Sequence, residues 1–250
     1  MNRFVAAWLV GALVAGRVFA AEPNCEVPDY LLAADGELSR VAAAVTQQKR
    51  LRIVVIGTGS SLLAGPAGLQ ASYPARCEAA LRERLPQVEV TLKSYVRARQ
   101  VVAEMAKEFD RILADDKPDL VIWQAGTADA IRGIEPDEFR AVLDEGVGTL
   151  QDGGADVILM NVQYSPRTES IIAVGPYNDN MRWVAQERGI PLFDRFAIMQ
   201  YWNETGTFDL NAATKSSAMA QQVHDCIGRA LATLVIGAAH LDIPGEKAPQ

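Results

Sequence analysis

The chain has few groups suited to acid–base chemistry and no surplus of positive charge. Its 250 residues include only two histidines and three cysteines, so candidates for a general base or for a disulfide are few. Lysine and arginine number 24 against 31 aspartate and glutamate, which gives a formal charge of −7. A nucleic-acid partner needs a basic surface that neutralises phosphates, and this balance argues against one. We also expect neither a cofactor nor a metal.

Long apolar runs are also missing, apart from one at the N-terminus. Arg3 precedes an apolar run over residues 4–15, and the segment 18–20 (Val-Phe-Ala) offers small residues ahead of Ala21. The run is too short to cross a bilayer comfortably, and no second hydrophobic span follows it. The pattern predicts a cleaved secretory signal over residues 1–20. We therefore expect an exported protein, periplasmic or secreted, with no membrane span after cleavage.

The three cysteines would then fold in an oxidising compartment, where a disulfide can persist. Cys77, Leu81 and Leu85 recur every four residues, which predicts that Cys77 packs on the apolar face of a helix. That leaves Cys25 and Cys226 as the expected disulfide, joining the N-terminal lead-in to the last helix. Three reduced thiols stay open as the alternative, because a sequence alone does not fix connectivity.

The rest of the chain alternates short apolar runs with longer segments of helical period. Strands are expected at residues 52–56, 88–92, 120–123, 155–161 and 190–193, and helices at 73–85, 99–115, 136–151, 168–188 and 212–236. The strands are continuously apolar rather than alternating, which is typical of a parallel sheet covered on both faces. The pattern predicts an α/β fold with a doubly wound sheet of about five strands in the order 2-1-3-4-5. No linker or repeat interrupts it, so residues 21–250 are expected to form one domain.

Ligands of such sheets bind beyond the carboxyl ends of the strands, where three loops would meet: residues 57–65, 94–99 and 124–129. The first loop begins Gly-Thr-Gly, like a dinucleotide-binding turn, but Leu62 stands where the third glycine belongs. Nucleotide binding is therefore the least supported function. A serine nucleophile at the strand end is a second interpretation, and a simple Gly/Ser-rich turn is a third.

The segment 59–65, Gly-Ser-Ser-Leu-Leu-Ala-Gly, resembles the Gly-Asp-Ser-x-x-x-Gly first block of the SGNH (GDSL-like) hydrolases. Segments 73–76, 118–127, 163–167 and 191–196 also resemble exported bacterial members of that superfamily, so the likeness runs over most of the chain. It implies a three-layer α/β/α sandwich of flavodoxin-like topology. It also implies a serine ester hydrolase with altered catalytic blocks.

The resemblance assigns roles to individual residues. Ser61 takes the position of the nucleophile, and Ser60 stands where the family has aspartate. Arg99 occupies the place of the glycine whose backbone N–H faces the oxyanion. In the third block, usually Gly-x-Asn-Asp, Ala128 replaces the oxyanion amide, a loss that typically slows such enzymes about a hundredfold to a thousandfold.

The base is the least determined member of this site. His224 has the spacing of the final Asp-x-x-His block, although glutamine replaces the aspartate and the residue falls inside the last helix. Asp129 is the next candidate for the base. The remaining expected oxyanion or substrate-binding residues are Gly126, Thr127, Tyr164 and Arg167.

Two functions follow from this sequence. The first is an exported ester hydrolase or deacylase that acts on a small-molecule or glycan ester, with impaired activity. The alternative is a catalytically inactive domain of the same fold, retained as a periplasmic binding or assembly protein for envelope polysaccharide.

Overall fold

The computed structural model describes residues 25–33, 35–211 and 216–242, so the expected signal segment lies outside the described residues. The strands of this part are β1 (Arg50–Gly57), β2 (Glu89–Val96), β3 (Leu120–Gln124), β4 (Asp156–Met160) and β5 (Leu192–Phe193). Its α-helices are α1 (Ser39–Ala43), α2 (Gly68–Ala71), α3 (Tyr73–Arg84), α4 (Val102–Ala106), α5 (Phe109–Asp116), α6 (Thr127–Arg132), α7 (Pro136–Asp152), α8 (Pro166–Glu169), α9 (Gly175–Arg188), α10 (Arg195–Glu204) and α11 (Ser217–Ala238).

The strands form one parallel sheet in the order β2-β1-β3-β4-β5. Because β1 pairs in parallel with both β2 and β3, the loops that follow these three strands come together at the carboxyl ends of the strands. The predicted α/β class, doubly wound sheet and strand order are confirmed.

Helices cover both faces of the sheet, which explains why the strands are continuously apolar. Along β1, Ile53 and Val55 point into a core formed with α3, α10 and α11, whereas Val54 and Ile56 point into a second core formed with α4, α5, α7 and α9. Neither face of the central strands could hold a polar side chain without burying it.

Some predicted helix boundaries are wrong. The segment expected as one helix over 99–115 is two helices, α4 and α5, and the helix expected over 168–188 begins only at Gly175. The last helix begins at Ser217, where Ser216 caps it by accepting a hydrogen bond from the Met219 N–H, 3.0 Å away. Helix α10 was not expected at all.

Helix α11 packs closely against α3 and carries the disulfide. A Cβ atom at Gly228 would lie 2.8 Å from the backbone nitrogen of Cys77, so only glycine allows this approach. Cys25 and Cys226 form the disulfide, with Cα atoms 5.3 Å apart, and Cys77 is a buried free thiol. Burial raises the pKa of that thiol to about 12, which keeps it protonated and unreactive. The predicted pairing and the core position of Cys77 are confirmed.

No helix within the described ranges is both long and apolar enough to cross a membrane.

Candidate active site

A crevice of about 310 Å³ lies where the loops after β1, β2 and β3 meet. It is lined by Thr58, Gly59, Ser60, Ala98, Arg99, Thr127, Ala128, Ile131 and Arg132. The three loops converge as the sequence predicts. The serine that faces the crevice is Ser60, however, and not Ser61.

Ser61 is fully buried, with none of its surface exposed. Its Oγ lies 3.0 Å from Gln124 Oε1, to which it donates, and 2.9 Å from the Tyr73 hydroxyl. Since the Ser61 proton is used toward Gln124, the Tyr73 hydroxyl is the donor in the second hydrogen bond. Burial raises the pKa of Tyr73, so this phenol remains protonated and able to donate. The expectation that Ser61 faces the crevice is therefore wrong: its hydroxyl is held inside the protein, where no acyl carbon can approach it.

Gln124, the last residue of β3, fixes the start of this loop. Its side-chain oxygen accepts hydrogen bonds from the Thr58 N–H at 2.9 Å and from the Thr58 hydroxyl at 3.0 Å, in addition to that from Ser61. One buried amide oxygen thus ties the end of β1 to the end of β3. The same contacts turn Ser61 inward and leave Ser60 at the surface of the crevice.

His224 is buried on α11 and already has a hydrogen-bond partner. Its Nδ1 accepts from the Tyr73 backbone N–H at 3.0 Å, so the proton of the neutral ring lies on Nε2. Burial, and secondarily the positive charge of Arg195, lowers the pKa of His224 to about 4. The nitrogen that could take a proton is therefore occupied at neutral pH, and this arrangement does not support the role of general base expected for His224.

Asp129 is also buried, and its carboxylate binds backbone groups. Oδ1 accepts from the Val102 N–H at 3.0 Å, and Oδ2 accepts from the Gly126 N–H at 3.3 Å. Burial raises the pKa of Asp129 even though these hydrogen bonds oppose the shift. The carboxylate fastens the start of α6 to the start of α4, an arrangement that leaves it poorly placed to act as a base in the crevice.

The backbone around the crevice adopts two left-handed conformations. Arg99 has φ of +65°, a conformation that glycine adopts most easily, at the position where the family resemblance expects glycine. Gly126 has φ of +97°, and a Cβ there would lie 2.9 Å from a methyl group of Val162. Next to it, Thr127 lines the crevice, and its buried hydroxyl has no hydrogen-bond partner among the described residues.

Two residues expected at the site, Tyr164 and Arg167, are not among the residues that line the crevice. The ring of Tyr164 is buried and packs edge-on against Phe196, with ring centres 5.3 Å apart. Arg167 is exposed on the short helix α8. Neither lines the crevice, so the structure shows no contact for the substrate-binding role expected of them.

A second cavity of about 190 Å³ adjoins the crevice, and Ser60 lines both. Its polar wall includes Arg195, the first residue of α10, which is 1% exposed. A terminal nitrogen of Arg195 donates to Ser60 Oγ at 3.3 Å. Sequence reasoning missed Arg195, although its position two residues beyond the end of β5 is a signal, since ligand-binding residues of such sheets follow the strands.

A larger cavity, of about 700 Å³, lies at the opposite end of the sheet. Its lining includes Lys49, Leu85 and Val88, which precede β1 and β2. Parallel α/β sheets bind their ligands beyond the carboxyl ends of the strands, so this cavity is not the candidate active site.

The parallel sheet, the crevice beyond it and the serine at the end of β1 define an α/β/α protein of the SGNH hydrolase type. The sequence profile of the non-GDSL lipase-like family matches residues 24–241, and the chain belongs to this family.

Solved structures share the fold at low sequence identity. The structure of TesA is 18% identical, with a TM-score of 0.57, and the match covers 73% of this chain and 99% of TesA. A variant of Axe2, an acetyl-xylooligosaccharide esterase from Geobacillus stearothermophilus, is 17% identical, with a TM-score of 0.60 and coverage of 77% and 95%. LAE5, an α/β hydrolase from the metagenome of Lake Arreo, is 20% identical, with a TM-score of 0.58 and coverage of 76% and 95%. No curated protein matches the sequence.

Proposed function

We propose that the chain is an exported ester hydrolase or deacylase of low turnover, in which Ser60 attacks the acyl carbon. The observation that carries this proposal is the position of Ser60, whose hydroxyl stands at the end of β1 between two cavities. The Arg195 guanidinium donates to its oxygen and favours the alkoxide form of the hydroxyl. Attack would break the ester C–O bond and form an acyl–serine ester, the proton of the Ser60 hydroxyl passing to the departing alkoxide to release the alcohol. Water would then hydrolyse the acyl–serine ester, releasing the acid and restoring the serine.

The low turnover follows because the described part of the site has neither a general base nor a complete set of oxyanion donors. Among the described residues, neither an imidazole nor a carboxylate hydrogen-bonds Ser60, because His224 and Asp129 bind backbone groups. Ala128 provides a backbone N–H but no side-chain amide to hold an oxyanion. A serine without a base and with an incomplete oxyanion site reacts slowly near neutral pH.

Two further observations support the substrate class and the location. Axe2, of similar fold, is an esterase of acetylated xylo-oligosaccharides, which favours a small-molecule or glycan ester. The disulfide and the signal-like sequence over residues 1–20 favour export, because disulfides persist in oxidising compartments.

The proposal is tested by hydrolysis of p-nitrophenyl acetate by the wild type and two serine variants. We expect the wild-type kcat to lie at least about a hundredfold below the value of about 10 per second that is typical of enzymes, because a base and one oxyanion donor are missing. Ser60→Ala should abolish this turnover. Ser61→Ala is the matched control and should keep it, since Ser61 is buried behind the loop. Turnover that survives in Ser60→Ala but disappears in a folded Ser61→Ala would restore Ser61 as the nucleophile.

A second candidate function is a non-catalytic binding or assembly protein for envelope polysaccharide. The backbone hydrogen bonds of His224 and Asp129 favour this non-catalytic function, because they leave Ser60 without a proton acceptor among the described residues. It predicts that wild type and Ser60→Ala hydrolyse the ester equally, at the rate of buffer alone, while the wild type still binds acetylated polysaccharide in a pull-down assay.

A further inference from the structure

The second cavity combines a short polar wall with a larger apolar one. Ser60, Gln163, Arg195 and His224 form the polar side. The apolar side comes from α10 and α11 and includes Met199, Val223 and Ile227. A volume of about 190 Å³ corresponds to roughly six water molecules, enough for a short organic molecule.

In the part of the chain that the structure describes, the buried positive charge of Arg195 has no negatively charged partner. No carboxylate of the described residues lies within ion-pair distance of it, and its Nε has no hydrogen-bond partner. The adjacent Asp194 is used elsewhere: its Oδ2 accepts from Arg182 at 3.0 Å, and its Oδ1 accepts from Asn161 at 2.6 Å. Burial lowers the pKa of Arg195 to about 10, so the guanidinium is still charged at neutral pH.

Burying a guanidinium without a negatively charged partner costs free energy of folding, and a bound anion would supply that partner. Among the described residues, the hydrogen-bond partner of the Arg195 guanidinium is a single neutral acceptor, the Ser60 hydroxyl. His224 adds no competing negative charge, since its ring is neutral and its Nδ1 accepts from Tyr73. A planar guanidinium matches the two oxygens of a carboxylate better than any neutral group.

From this arrangement we propose that the cavity binds a carboxylate carried on a short apolar chain, with the carboxylate on Arg195 and the chain against Met199, Val223 and Ile227. The site adjoins the one proposed for ester hydrolysis and shares Ser60 and Arg195 with it, but carboxylate binding does not require turnover. Its ligand class is a short aliphatic carboxylic acid rather than a sugar acid, because most of its wall is apolar.

The proposal is tested by calorimetric titration of the wild-type protein with hexanoate, hexanamide and galacturonate at neutral pH. We expect hexanoate to bind about tenfold to a hundredfold more tightly than hexanamide, the usual advantage of a charge-assisted hydrogen bond. Galacturonate carries the same carboxylate on a polar body and should bind more weakly than hexanoate. Arg195→Met should lose the preference of the site for hexanoate over hexanamide.

A second pair of variants tests the cavity without altering the charge. Ala220 lines the cavity at a half-buried position of α11, and Ala220→Phe should exclude hexanoate by filling the space. Gln221→Phe places the same ring at the next, exposed position outside the cavity and should bind hexanoate like the wild type.

Each of the following results would overturn the carboxylate site: no hexanoate binding at millimolar concentration, equal affinity for hexanoate and hexanamide, or unchanged binding in a folded Ala220→Phe. Tighter binding of galacturonate than of hexanoate would overturn the apolar-chain assignment. Loss of ester hydrolysis in Ser60→Ala with hexanoate binding retained separates this site from the proposed reaction.

Discussion

Reduction of the Cys25–Cys226 disulfide is expected to lower the free energy of unfolding by about 2 to 5 kcal/mol. The bond joins positions separated by 201 residues, so its loss greatly increases the conformational freedom of the unfolded chain. It also anchors the N-terminal segment, where the Glu26 carbonyl accepts a hydrogen bond from the Trp202 indole at 3.1 Å. Urea unfolding with and without dithiothreitol, followed by tryptophan fluorescence, measures the difference.

The control for this measurement uses the third cysteine. A Cys25→Ala, Cys226→Ala double variant should start at the lower stability and show no further response to dithiothreitol. Cys77→Ala keeps the disulfide, so it should respond to the reductant by as much as the wild type does. Identical urea midpoints for the oxidised and reduced wild type would contradict the stabilising role of the bond.

The sheet could be predicted because its strands are buried on both faces. In β1, β3 and β4 this produces apolar runs that no exposed helix would carry, and their spacing along the chain implies crossover connections. The break between α4 and α5 could not be predicted in the same way. Met105, Phe109 and Ile112 all enter the same core, so the helical period continues across the break.

The location of the site could be predicted, but not the orientation of its side chains. Ser60 and Ser61 are neighbours in the sequence, and the choice of which one faces the crevice depends on Gln124 and Tyr73. His224 likewise depends on the Tyr73 N–H, 151 residues away along the chain. Such contacts exist only once the fold has formed, so a motif read from the sequence cannot show them.

Acidification from pH 7.5 to pH 4 is expected to remove about 3 kcal/mol of stability through His224 alone. The unfolded chain binds a proton at the ordinary histidine pKa of 6.5, whereas burial in the fold holds the pKa of His224 at about 4. At pH 7.5 His224 is almost fully deprotonated in both states, and the full stability is present. As the pH falls, only the unfolded state gains the proton, so stability is lost until the folded ring also titrates near pH 4.

The measurement is the difference in free energy of unfolding between wild type and His224→Gln at pH 7.5 and pH 4. Burial raises the pKa values of Asp129 and Asp156, so their protonation in acid stabilises the folded state. Only the difference between the two variants therefore isolates the contribution of His224. Glutamine can still accept from the Tyr73 N–H, and the variant should therefore fold and lose less stability in acid than the wild type. His240→Gln, at an exposed position, is the matched control and should follow the wild type. An equal acid response in His224→Gln and wild type would mean that His224 is open to solvent and able to take a proton, which would make it available again as the base for Ser60.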